Sequence, residues 1–182
     1  MAHVGALPRI HRYITTHDNQ GKAVFSHKFD EESKMKAHED GIAFALSFAT
    51  KGSPVDMDDD ADLRVYEGYT KDPPGLVISG GTVLRHVDIP PQTACTMHRT
   101  VSLDYGAVIE GEVELLLDSG ESRTMKRGDV AIQRGTMHQW INHSSADWAR
   151  MLFVLQESKP LRVAGEALGE ELAGMAGVRS ST

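Results

Sequence analysis

Apolar and polar residues alternate with a period of two along most of this chain, which is the pattern of strands with one buried face. In the stretch from Glu112 to Asp118, Val113, Leu115 and Leu117 alternate with Glu112 and Glu114. The same reading predicts strands over Ile42 to Ala49, Thr82 to Ile89, Tyr105 to Glu110, Glu121 to Lys126, Asp129 to Gln133, His138 to His143 and Arg150 to Gln156. Turn residues punctuate them at Gly80-Gly81, Pro90-Pro91, Ser119-Gly120, Arg127-Gly128 and Ser144 to Asp147. Near the start, Arg12 to His17 and Lys22 to Lys28 flank Asp18-Asn19-Gln20-Gly21, a hairpin signal because Asn and Gly supply the turn conformations. Many short strands joined by tight turns predict an all-β barrel or sandwich. Only Gly165 to Met175 reads as helical, with Leu168, Leu172 and Met175 on one stripe.

The remaining stretches predict little structure. Residues 1–8 read as a flexible tail and 177–182 as a loose end, while Asp30 to Asp40 reads as a charged loop or short exposed helical turn. Asp56 to Asp62 carries five aspartates but lacks the Gly and closing Glu of an EF-hand, so it reads as a solvated acidic loop.

At 182 residues the chain suits one domain with a sizeable core, and its net charge of −7 changes the picture mainly by exclusion. A nucleic-acid binder needs a basic face to displace counterions from phosphates, and an anionic membrane surface repels such a chain. No apolar run reaches the roughly 18 residues of a membrane span. The N-terminus lacks a secretory apolar segment and Cys95 is the single cysteine, so the expectation is a cytoplasmic protein without disulfides. Cys95 reads as a small buried hydrophobe rather than a nucleophile.

The chemistry concentrates in two motifs, M-H-R-T-V-S-L-D-Y-G-A-V-I-E-G (97–111) and G-D-V-A-I-Q-R-G-T-M-H-Q-W-I-N (128–142). By strand parity His98, Thr100, Ser102 and Asp104 share a face, and so do His138, Trp140 and Asn142. A face of imidazole, hydroxyls and carboxylate is not core composition. The other histidines, His3, His11, His17, His27, His38 and His143, read singly as structural. His86, on the strand before the first motif, joins the candidate pocket if its face turns inward.

These motifs resemble the two signatures of the cupin superfamily. His98 stands at the first motif's first histidine and Gly111 at its terminal glycine, while Thr100 takes the second histidine's place and Asp104 the glutamate's. In the second motif Gly128, Gly135, His138 and Asn142 match, and the usual proline is absent beside Gln133-Arg134. The likeness covers Thr82 to Gln156. It implies a cupin jelly-roll β-barrel over residues 9–163, with the N-terminal strands as an extension, a C-terminal helix and tail over 164–182, and a homodimer formed by exchanged edge strands. The whole chain is similar to single-cupin proteins of microbial, especially fungal, small-molecule pathways.

What the resemblance implies for function stays open among three readings. One is a lyase or isomerase acting on a small organic acid or polyketide-like metabolite by decarboxylation, dehydration or proton shift. There His98 and His138 act with Asp104 as acid/base groups, Tyr105 supplies a second acid, and Thr100, Ser102, Trp140, Asn142 and His86 form the pocket. The second is an iron-dependent oxygenase with His98, Asp104 and His138 as a facial triad; the same set suits zinc or manganese, or no metal at all. The third is a non-catalytic small-molecule binder.

Overall fold

A computed structural model of the chain describes residues 7–172, 174–175 and 178–181. The alternating pattern is realised, among the described residues, as fourteen strands and a single α-helix. They run β1 (Thr15–His17), β2 (Ala23–Phe25), β3 (Lys36–Ala37), β4 (Ala43–Ala49), α1 (Ala61–Lys71), β5 (Thr82–Ile89), β6 (Thr93–Ala94) and β7 (Ser102–Glu110). Then follow β8 (Glu112–Leu117), β9 (Ser122–Lys126), β10 (Val130–Arg134), β11 (His138–Asn142), β12 (Ala149–Glu157), β13 (Arg162–Val163) and β14 (Glu166–Ala167).

Two antiparallel sheets form the jelly roll, a six-stranded one in the order β10-β7-β12-β5-β4-β3 and a four-stranded one in the order β6-β11-β8-β9. Their inner faces enclose the main core, with Val87, Ile89, Val108 and Met151 from the large sheet against Val113, Met125 and Trp140 from the small one. Gly111 joins β7 to β8 at φ +73, and a Cβ there would lie 2.9 Å from the Trp148 carbonyl oxygen. Only glycine fits both the left-handed turn and that close approach.

The outer face of the large sheet is not left to water. The N-terminal segment lies over it, with Ile10 and Ser33 buried. Beneath them sits a polar layer: Arg150 makes a two-pronged ion pair with Asp88, both bonds 2.6 Å, and donates to the Pro8 carbonyl at 2.7 Å. Ser47 Oγ lies 2.9 Å from Ser33 Oγ and 2.7 Å from His86 Nδ1.

The helix is where the pattern reading departs from the structure. The expected C-terminal helix over Gly165 to Met175 is not formed among the described residues of that stretch. Glu166 and Ala167 instead pair with β13 in a hairpin, and Glu171 bridges Arg99 through paired backbone hydrogen bonds. Gly165 and Gly174 take positive φ, and each glycine costs a helix about 1 kcal/mol relative to alanine. Leu172, Met175 and Val178 still pack against the barrel, and Ser181 donates to Glu170, so residues 178–181 are anchored rather than loose. Of the expected tail, residues 1–6 lie outside the described set, as do 177 and 182 of the expected loose end.

The helix that does form, α1, grows out of the acidic run. Asp59 and Asp60 adopt positive φ, which aspartate tolerates better than most residues, and carboxylates favour a helix N-terminus. Leu63 and Tyr66 are its buried residues, Tyr66 packs in a second core cluster with Ala49, Leu76 and Val83 and donates its hydroxyl to the Leu46 carbonyl at 2.8 Å, and Pro73-Pro74 follow its end. No helix among the described residues is long and apolar enough to cross a membrane.

Candidate active site

The two motifs meet as direct cross-strand partners. His98 and His138 exchange backbone hydrogen bonds at 2.9 Å each, which sets their ring centroids 4.4 Å apart. Trp140 stands edge-on to His138 at 5.8 Å and Phe153 edge-on to Trp140 at 5.5 Å. His98, Thr100, Asp104, His138, Trp140 and Phe153 together line a cavity of about 70 Å³ between the sheets.

Each imidazole is held in one tautomer. His98 Nδ1 lies 2.8 Å from the Thr96 carbonyl oxygen and His138 Nδ1 lies 2.9 Å from that of Thr136. A carbonyl only accepts, so Nδ1 carries the proton in both rings and Nε2 keeps its lone pair for the cavity. Burial disfavours the charged ring and lowers both pKa values, His138 to about 4 with the neighbouring His98 adding to the effect. At neutral pH both are neutral bases.

Asp104 is pushed the other way. Burial raises its carboxyl to about 6, with hydrogen bonds from Ser102 and Thr100 partly opposing. Thr100 Oγ1 reaches its Oδ2 at 3.4 Å, while Oδ1 is buried without a partner. Directly opposite in register is Gln133, whose Nε2 is likewise buried and unpaired among the described residues. Unsatisfied polar atoms of this kind mark a place where a ligand or water belongs.

Several expected site residues sit elsewhere. Tyr105 is 42% exposed on the outer face of β7, beside exposed Ile132 of β10, because its parity opposes that of Asp104. It does not reach the cavity and is removed as an acid. His86 also turns outward, onto Ser47, while Arg85 and Val87 on either side of it point inward. Asn142 shares the parity of His138 but lies deeper along the strand, where its Nδ2 donates to the Ile89 and Asp147 carbonyls and its Oδ1 accepts from the Ser144 N–H. It fastens the turn after β11. Ser102 is buried against Thr100 at 2.7 Å and acts on the cavity only through that hydroxyl and Asp104.

The metal expectation meets a geometric limit. The tautomers of His98 and His138 suit an ion, since each leaves Nε2 free. Yet among the described residues no group of three or more His, Cys, Asp or Glu side chains converges to hold one. Asp104 is turned to Thr100 and does not complete the triad, so the donor set does not fit a three-ligand metal centre. Cys95 also borders the cavity, but its Sγ accepts the Trp140 N–H at 3.1 Å and burial raises its thiol to about 11, which keeps it an inert packing group.

Three ionisable residues at the cavity were not singled out by the motifs. His38, read as structural, Asp40, read as the end of a charged loop, and Arg85, unassigned, all line it. Arg85 had a usable signal: in T-V-L-R-H-V-D-I it shares the inward parity of Val83, Val87 and Ile89, where a cation is out of place.

The cupin domain family, Cupin_2, matches residues 85–155. Phomopsin biosynthesis cluster protein D of Diaporthe leptostromiformis is 46% identical over 158 residues, covering 87% of this chain and 84% of that protein. Oryzines biosynthesis cluster protein J of Aspergillus oryzae is 43% identical over 166 residues, covering 91% and 93%. The cupin-domain-containing oxidoreductase virC of Hypocrea virens is 43% identical over 159 residues, covering 85% and 79%. With both signature motifs folded onto one cavity of a jelly roll, and with relatives this similar over most of their length, the chain belongs to the cupin superfamily.

Proposed function

We propose that this chain is an enzyme of a secondary-metabolite pathway that moves a proton on a small, partly apolar carbonyl compound, giving isomerisation or dehydration. The pathway setting is supported by relatives named for the phomopsin and oryzine biosynthesis clusters. The observation that carries the chemistry is the pairing of neutral imidazoles, their Nε2 atoms free, with a carboxyl whose pKa of about 6 keeps a protonated fraction near neutrality. Groups whose environments push their pKa values apart divide naturally into base and acid.

In the step proposed, His138 Nε2 removes a proton from the carbon next to the substrate carbonyl. The C–H electron pair forms a carbon–carbon double bond, and the carbonyl oxygen takes the Asp104 proton. This leaves an imidazolium and a carboxylate in one low-dielectric cavity, where the opposite charges stabilise each other. In both outcomes the enol O–H returns its proton to the Asp104 carboxylate as the C=O bond re-forms. The freed electron pair of the double bond takes the His138 proton at the far carbon of a conjugated system, completing an isomerisation, or expels a β-hydroxyl that leaves as water with the His138 proton, completing a dehydration. His98, its ring tilted 49° against that of His138, holds the ring in position, and Trp140 and Phe153 keep water away.

The test is deuterium incorporation from D2O into small β-keto and α,β-unsaturated carbonyl acids, followed by mass spectrometry. His138→Gln should lower the exchange rate at least about 100-fold with an unchanged circular dichroism spectrum. Equal exchange in the variant would remove His138 from the mechanism.

A second reading rests on the name oxidoreductase carried by virC. The two imidazoles offer only part of the three-ligand protein set that a catalytic ion normally has. Turnover that requires both a stoichiometric metal and dioxygen, compared under air and argon, would displace the proton-transfer reading.

A further inference from the structure

The fold contains two buried arginines and treats them in opposite ways. Arg150 is neutralised by both oxygens of Asp88. Arg85, 7% exposed, has no carboxylate partner among the described residues. Its Nη2 donates to the Gly75 carbonyl at 3.1 Å, its guanidinium lies 5.3 Å from the centre of the Phe44 ring, and its buried Nε has no acceptor. Burial alone pulls its pKa down to about 10. An uncompensated buried cation costs several kcal/mol, so a chain that keeps one has a use for it.

Its position suggests the use. Arg85, with His38, Phe44 and Val178, lines both the inner cavity and a larger outer groove of about 470 Å³. Aromatic side chains, Phe29, Phe44, Tyr66 and Tyr69, wall that groove. Although the chain as a whole is acidic at −7, Arg12, Lys34, Lys36 and Arg179 join Arg85 there with Asp30 and Glu32. Lys34 pairs with Asp30 and Arg179 with Asp72, which leaves Arg12, Lys36 and Arg85 outside any ion pair among the described residues. The inner cavity, about 70 Å³, takes a group of only a few heavy atoms, so the body of any larger ligand must lie in the groove.

We propose that Arg85 is the anion-binding residue of the site: it receives the carboxylate of an aromatic or conjugated acid whose body lies in the outer groove and whose reacting carbon enters the cavity beside His98 and His138. The guanidinium fork matches a carboxylate, and the Phe44 face stacks with a planar ligand. This assignment of substrate class rests on the proton-transfer reading for the placement of the reacting carbon, but the binding role is separately measurable.

The experiment compares benzoate with its neutral isostere benzamide by titration calorimetry, on the full chain and on Arg85→Met, Arg85→Lys and His138→Gln, with thermal unfolding of each. The wild type should bind benzoate at least about tenfold more tightly than benzamide. Arg85→Met should abolish that preference with a melting temperature equal to or above that of the wild type, because an unpaired buried charge has been removed. Arg85→Lys should keep a weaker preference, and this conservative variant decides the matter if Arg85→Met does not fold. No benzoate binding, equal affinity for the two probes, or an undiminished preference in Arg85→Met or Arg85→Lys would overturn the proposal. His138→Gln should lose deuterium exchange while keeping the benzoate preference. Exchange kept in His138→Gln sinks the proton-transfer reading alone, and a preference absent from the wild type sinks this one alone.

Discussion

Replacing Asp104 by asparagine should make this protein more stable at pH 8. The carboxyl's pKa rises from 3.8 to about 6 on folding, so the native state holds the proton to higher pH than the unfolded chain does. The sign follows by linkage: stability from this group is full below about 3.8, falls as pH rises through 6, and stays reduced above it. Each tenfold change in acid constant is worth about 1.36 kcal/mol, so the ionised, buried Asp104 costs the wild type at most about 3 kcal/mol at pH 8. Asparagine carries no such charge. It does bring a second amide opposite Gln133, whose Nε2 already lacks an acceptor, and one unpaired donor costs about 1 to 2 kcal/mol.

The net expectation is a gain of about 1 to 2 kcal/mol at pH 8, falling to about zero at pH 5, where roughly half of the ionisation penalty has gone. Urea unfolding followed by circular dichroism at both pH values measures it. Comparing variant with wild type at each pH cancels the histidine contributions to first order. Deuterium exchange should drop in the same variant, since the acid is lost, which is the opposite of its effect on stability. A variant destabilised equally at pH 5 and pH 8 would show that Asp104 is an ordinary structural hydrogen-bonding group, and the assignment of a raised pKa would fail with it.

Asp88→Ala leaves Arg150 as a buried cation without its partner and should cost about 3 to 5 kcal/mol in urea unfolding, while exchanging both residues for leucine and methionine should cost far less. Acid should also unfold the protein through its histidines. His86 and His138 fall from 6.5 to about 4 on folding, mainly by burial, so their stabilisation is full above about 6.5 and is lost as pH falls towards 4. His138→Gln should therefore shift the acid-unfolding midpoint to lower pH, and a midpoint unmoved by the substitution would contradict the lowered pKa.

Strand parity made the barrel and half of the site legible, and the failures have one cause. Thr82–Ile89 is a strand with the limits the alternation predicts, and the motif histidines are cross-strand partners. Parity reports which face a side chain takes but not how far along the barrel it lies. Asn142 shares a face with His138 and Trp140, yet it ends at the turn below the cavity. His86 had an undecided face, and the inward parity of Val83, Val87 and Ile89 already assigned it outward and Arg85 inward. The terminal stripe of Leu168, Leu172 and Met175 gave a correct account of burial and a wrong secondary structure. Contacts with the barrel hold that segment extended, and its glycines remove the local preference that would resist them. The reverse holds for α1, where five aspartates obscured a helix start that carboxylates in fact favour.

The distribution of unsatisfied atoms is the strongest argument for where function lies. Four buried side-chain atoms lack partners among the described residues: Arg12 Nε, Arg85 Nε, Asp104 Oδ1 and Gln133 Nε2. Arg12 and Arg85 border the outer groove, Arg85 and Asp104 border the cavity, and Gln133 pairs with Asp104 in register. The outer face of the same sheet buries charge and imidazole too, yet there Asp88, Arg150, Ser47 and His86 satisfy one another. A sequence able to complete a buried polar layer on one face has the means to do so on the other. Folding alone would favour pairing or replacing the inner groups, since each orphaned polar atom costs about 1 to 3 kcal/mol. Their persistence along one continuous path, from groove to imidazole pair, is what a site waiting for an anionic, hydrogen-bonding ligand requires.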